Sequence, residues 1–294
     1  MNKFFRYRAE KSNKAWLFLF PALIFILIFN VIPLLRAFSM SIYSNSILKP
    51  KLVGFENFAF VIRDPQFHMA LKNTIIYSIF VVPVGMILSM LLALSINSKI
   101  KGSEFFESIF FIPYLTSIIA IGIVFRFLFN GSFGLVNYLL GLIGFGPFEF
   151  LNDPNLNMTT LIIFGVWSSM AFNVIIMLSG LRSIDQNYYK IANMFGASDS
   201  EQFWKITMPS LIPIITFLSI TNFISAFKVY GQVFALFNGK AGIGNSAVTA
   251  VFYIFNKFYV ENRYGQGMAA AVLLFLFLLL FTIFQRAILK KLSK

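Results

Sequence analysis

Six stretches of this chain, 15–35, 74–96, 109–129, 158–181, 212–237 and 267–288, are apolar over about 20 residues or more. Each is long enough to cross the hydrocarbon core of a bilayer as an α-helix. In lipid a backbone must satisfy its own hydrogen bonds, so a run of this kind has few alternatives to helix. Composition points the same way. Only 12% of the 294 residues are charged and 58% are hydrophobic, whereas a soluble domain carries about 25% charged residues and needs them for its surface. The expected fold is an all-α integral membrane protein with six transmembrane helices. One membrane domain is expected over 15–288, between a basic tail at 1–14 and a short tail at 289–294.

The tail before the first run holds Lys3, Arg6, Arg8, Lys11 and Lys14. That pattern resembles a signal peptide, but the apolar run is too long and no small-residue cleavage site follows, so a retained anchor is expected. Fourteen of the 24 Lys and Arg residues fall on one side if the N-terminus is cytoplasmic, and the connection 131–157 has no basic residue. With an even number of spans, both termini are expected to be cytoplasmic. In the first external segment Phe55, Phe58, Phe60 and Val61 precede Asp64-Pro65. They suit either a helix lying along the membrane surface or a packed loop.

Acidic residues bear on what could drive transport. A proton- or sodium-coupled carrier normally places a carboxylate within the membrane, yet all 11 acidic residues fall in loops or at the edges of the runs. The chain also lacks the Gly-rich, Lys-terminated loop that cradles nucleotide phosphates. Uphill transport would therefore take its energy from another subunit. With no cysteine and His68 as the single histidine, no metal site, catalytic constellation or cofactor is expected. The net charge of +13 is read as a membrane topology signal rather than a nucleic-acid surface.

The longest cytoplasmic connection, 182–208, reads as two short helices broken once. Asp185 can cap the first, whose Tyr188, Ile191, Ala192 and Phe195 share one face. Gly196 suits the left-handed residue that ends it, Ser198-x-x-Glu201 is a capping box for the second, and Pro209 falls where the fifth run begins. Such a pair could rest on the lipid surface or dock into a groove of a soluble partner.

Lys190-Ile191-Ala192, three residues, Gly196, nine residues and Ile206-Thr207-Met208-Pro209 resemble the EAA loop of binding-protein-dependent ABC importer permeases. The wider chain, about 16–285, resembles the sugar-type subfamily that includes the maltose and multiple-sugar permeases. Supporting stretches are Phe111-Ile112-Pro113-Tyr114, Phe129-Asn130-Gly131-Ser132-Phe133-Gly134-Leu135-Val136-Asn137, Gly180-Leu181-Arg182-Ser183-Ile184 and Tyr264-Gly265-Gln266-Gly267-Met268-Ala269. The resemblance implies a bacterial plasma-membrane permease that passes a carbohydrate, an oligosaccharide, delivered by an extracytoplasmic sugar-binding protein. It implies a second permease subunit, in a heterodimer, and two copies of a cytoplasmic ATPase. The residues that would touch the ATPase are Tyr188, Lys190, Ile191, Ala192, Phe195, Gly196, Ile206 and Pro209. Lys190 stands where the family has an acid, and Phe195 where it commonly has Asp, as in the degenerate half of a heterodimer.

Polar groups within apolar runs are costly, so they mark either a transport path or helix-to-helix hydrogen bonds. The candidates for substrate binding are Ser169 and Asn173 in the fourth run with Asn222, Ser225, Lys228 and Tyr230 in the fifth. Packing is the plainer role for the serines. Lys228 would face a wet cavity or snorkel outward, since a lysine in mid-membrane costs about 2.5 to 3.5 kcal/mol without a partner. The alternative to an ABC permease is a secondary carrier or channel acting alone on a small polar solute.

Overall fold

The computed structural model describes residues 16–46, 49–97, 105, 109, 112 and 114–292. Among them, the regular elements are helices: α1 (Trp16–Ser41), α2 (Glu56–Arg63), α3 (Pro65–Asn97), α4 (Ile118–Leu128), α5 (Leu135–Leu142), α6 (Pro154–Ser183), α7 (Gln186–Met194), α8 (Asp199–Phe227), α9 (Gly231–Leu236), α10 (Ala250–Phe255) and α11 (Tyr264–Leu292). Helices α1, α3, α6, α8 and α11 are long and apolar enough to cross a membrane. The protein is an all-α integral membrane protein. The basic tail at 1–14 and, in the third run, residues 110, 111 and 113 lie outside the described residues.

Two of the long helices start earlier than their apolar runs, for the same reason. The Asp64 carboxylate accepts from the backbone N–H of Gln66 at 2.9 Å, and Asp153 does the same for Asn155 at 2.9 Å. Each is followed by a proline whose missing N–H is harmless in a first helical turn. Capping thus extends α3 to 33 residues and α6 to 30.

The third and fifth runs are not continuous helices. In the third, helix α4 begins only at Ile118, after Ser117 takes an extended conformation (ψ 130°) and the Thr116 hydroxyl donates to the Ile112 carbonyl at 2.9 Å. Side chains that bond their own backbone compete with helix propagation. In the fifth, α8 stops at Phe227, and Lys228, Val229 and Tyr230 form an irregular link before α9. Thr249 donates to the freed Val229 carbonyl at 2.8 Å, which supplies the partner that a buried carbonyl requires. Helix α9 then packs against α4, where a side chain on Gly122 would collide with Ala235.

The connection after α6 also differs from two short helices. Helix α7 is separate, but the second short helix passes through a π-helical turn, Phe203–Thr207, into Met208–Phe227. Pro209 cannot donate a backbone hydrogen bond. The wide turn ahead of it, in which the Met208 N–H reaches the Phe203 carbonyl, lets the helix continue.

The chain forms two compact units. One holds the described residues up to Arg63 together with Ile254–Leu273. In it the Asn57 amide donates to the carbonyls of Ser41 at 2.9 Å and Tyr43 at 2.7 Å, and with buried Val61 it seats α2. The other unit comprises Asp64–Tyr253 and the chain from Leu274 onward. Its core joins α3, α6 and α8 through Ala93, Ile96, Val174, Met177, Leu178, Leu181, Leu211 and Leu218.

Candidate functional site

Within the second unit, α3, α6 and α8 separate around a cavity of about 500 Å³ at the mid-length of α3 and α6. Tyr77, Val81 and Val82 come from α3, Gly165, Ser168, Ser169 and Phe172 from α6, and Thr221, Asn222, Ser225 and Ala226 from α8. The two helix breaks complete the wall. Tyr114, Thr116 and Ile118 border the first break, and Gln232 follows the second. Irregular backbone is tolerated at membrane depth where it lines a cavity of this kind.

The polar groups of the wall divide into two sets. Ser168 donates to the Gly165 carbonyl at 3.1 Å, Ser169 to Val166 at 2.9 Å, and Thr221 to Phe217 at 3.0 Å. Their protons are committed to their own helices, and the oxygens keep lone pairs with which to accept. By contrast, the Tyr77 hydroxyl, the Ser225 hydroxyl and the Gln232 amide have no hydrogen-bond partner among the described residues. The rings of Tyr114 and Phe172 stack at the edge of the cavity with centroids 5.6 Å apart. The wall therefore offers donors, acceptors and an aromatic platform together.

Of the six substrate-binding candidates, Ser169, Asn222 and Ser225 line this cavity. Asn173 is buried beside it and accepts from the Asn222 side chain at 2.8 Å, so it positions Asn222. Lys228 and Tyr230 do not line the cavity. Lys228 is exposed at the break after α8, and Tyr230 packs on Phe234 and Phe252. Tyr77, Tyr114 and Thr116 join from runs in which no site residue was expected, and Thr221 joins beside Asn222. Tyr77 was findable as a polar ring in an apolar run.

A second surface lies at α7. The Asp185 carboxylate caps the helix through the Asn187 N–H at 2.9 Å. Gly196, with φ +75°, closes its end, where the Ala197 N–H reaches back to the Ala192 carbonyl at 3.0 Å. Both halves of the capping box form between Ser198 and Glu201. The Gln202 amide, donating to Asn193 at 2.6 Å and to Ala197 at 3.0 Å, ties α7 to α8. Tyr188 (60% exposed), Ile191 (53%), Met194 (86%) and Phe195 (87%) project away from this framework, whereas Ile206 packs inward on the core and Ala192 is half-buried. Lys190 and Pro209 are exposed.

The sequence of residues 82–294 matches the family described as the binding-protein-dependent transport system inner membrane component. The chain belongs to that family. It is accordingly a permease, a transport component rather than an enzyme. It is 31% identical over 279 residues to the lactose transport system permease protein LacF of Rhizobium radiobacter, covering 92% of this chain and 93% of LacF. With the trehalose/maltose transport system permease protein MalF of Thermococcus litoralis it shares 29% identity over 280 residues, covering 95% and 93%. A crystal structure of a bacterial ABC transporter that imports the acidic polysaccharide alginate contains a similar chain, with a TM-score of 0.84 and 25% identity over 98% of this permease and 100% of that chain. The family match takes in the α6 and α8 walls of the cavity and the α7 surface, while Tyr77 lies just before it.

Proposed function

We propose that this permease passes a carbohydrate, an oligosaccharide, through the α3–α6–α8 cavity, receiving it from an extracytoplasmic binding protein and driven by ATP hydrolysed on a separate subunit. The observation that carries the reading is the cavity wall. A sugar presents hydroxyls that donate and accept in every direction together with apolar C–H faces, and this wall mixes committed hydroxyls, available donors and a stacked Tyr114–Phe172 pair. The sugar substrates named for the relatives LacF and MalF support it. The cavity residues proposed to touch sugar are Tyr77, Ser169, Asn222 and Ser225, with Asn173 behind them.

The exposed apolar side chains of α7 are proposed to enter a groove on the ATPase, with Tyr188, Ile191 and Phe195 as anchors and Gly196 fixing their angle. In this reading both termini and α7 are cytoplasmic. A second permease subunit pairs with this one in a heterodimer over two ATPase copies. Purification from the native membrane in mild detergent tests the assembly. A second permease, an ATPase and bound saccharide should co-purify, and isolation of this chain alone with transport intact would overturn the reading.

A further inference from the structure

None of the described residues lining the cavity carries a charge. Lys228, the one cation that the sequence sets deep in the fifth apolar run, lies outside the lining and is exposed at the break after α8. Two other basic residues of the same unit, Arg126 and Lys240, line a different and smaller pocket of about 270 Å³. From the charge and hydrogen-bond polarity of its wall, and resting on the carbohydrate reading above, we infer that the cavity selects uncharged oligosaccharides and discriminates against uronates and sugar phosphates.

Solvation sets this preference. A carboxylate or phosphate leaving water must find a cation or several convergent donors, or it bears a large desolvation penalty. Ser168, Ser169 and Thr221 cannot supply those donors, because each hydroxyl proton is held by a backbone carbonyl of its own helix. They present lone pairs to the cavity, which a sugar hydroxyl can meet by donating and a carboxylate or phosphate group cannot. The donors that remain, on Tyr77, Ser225 and Gln232 and the second N–H of the Asn222 amide, are spread over three helices, α3, α8 and α9. They suit scattered hydroxyls better than one compact anionic group. Likeness in fold to an importer of acidic polysaccharide therefore does not bring that substrate class to this permease.

The test uses the assembled importer in nanodiscs, without the binding protein, so that selection by that protein is removed. Binding is measured by tryptophan fluorescence for a panel of neutral di- to tetrasaccharides, for oligogalacturonates of equal length and for glycerol phosphate. At neutral pH the tightest neutral sugar should bind at least tenfold more tightly than either anion. Ser225→Lys should shift the neutral-to-uronate ratio at least tenfold towards the uronate. Gln232→Lys, on another helix, replaces it if the first variant fails to reach the membrane. Equal or tighter binding of an anion by the unmodified protein overturns the inference and leaves the carbohydrate reading standing. So does a ratio that neither lysine variant moves. Failure of every saccharide to bind overturns the carbohydrate reading itself.

Discussion

Asn173 and Asn222 form a hydrogen bond of 2.8 Å between α6 and α8 at the edge of the cavity, with Asn173 only 1% exposed. Interhelical hydrogen bonds in membranes contribute about 0.6 kcal/mol on average and up to about 1.7, so the pair matters more for aiming Asn222 than for holding the fold. Asn173→Leu should leave membrane abundance within about twofold while uptake falls several-fold. Asn222→Leu should do the same, and the double variant should be no worse than either single one. Uptake normalised to abundance checks this, and additive losses would contradict it. Lys228→Met gives the opposite expectation. With its side chain outside the cavity lining, uptake should stay within about twofold. Both asparagines were legible in the sequence as polar groups in apolar runs. The surroundings of Lys228 were not, because the end of α8 is fixed by a hydroxyl at Thr249, well beyond the run itself.

Local sequence specifies most of α7 and its exit. The Asp185 cap, the left-handed Gly196 and the Ser198/Glu201 box are all short-range devices, each readable from a few residues. What could not be read was the continuity of α8, in which a π-turn ahead of Pro209 carries the second short helix directly into the fifth run. The interruptions of the third and fifth runs were hidden likewise. Apolar residues flank Thr116-Ser117 and Lys228–Tyr230 on both sides, so each run reads through its interruption, and the close packing of α9 on Gly122 is a tertiary contact. At this scale Gly196→Val should abolish uptake while insertion persists, because a β-branched residue is strained at φ +75° and the helix exit must change. Phe195, at 87% exposed, contributes little to the permease's own stability. Phe195→Ala should therefore leave abundance unchanged and reduce ATPase association and uptake by about tenfold or more, as loss of a buried interface anchor would. Lys190→Glu should change either by less than about threefold, since an exposed charge at an interface rim contributes about 0.2 to 1 kcal/mol. Pull-down of the ATPase by each variant compares them, and the reverse ranking would contradict the assignment of anchors.

For the whole molecule, the all-α membrane class followed from the apolar runs alone, and among the described residues five of the six runs overlap helices long enough to span. Orientation rests on the distribution of Lys and Arg. With no native cysteine in the chain, Asn187→Cys on the exposed start of α7 should react with a membrane-impermeant thiol reagent only after the cells are opened. Labelling in intact cells would place α7 outside and remove it as an ATPase contact. The source of energy is the central claim, because no acidic residue falls within an apolar run. Uptake of radiolabelled oligosaccharide into proteoliposomes holding the assembled complex and its binding protein, with ion gradients collapsed by ionophores, tests it most directly. Uptake should require ATP inside the vesicles, persist without any ion gradient, and fall several-fold with Asn222→Leu. Uptake that runs without ATP and stops when the gradients are collapsed would contradict the account.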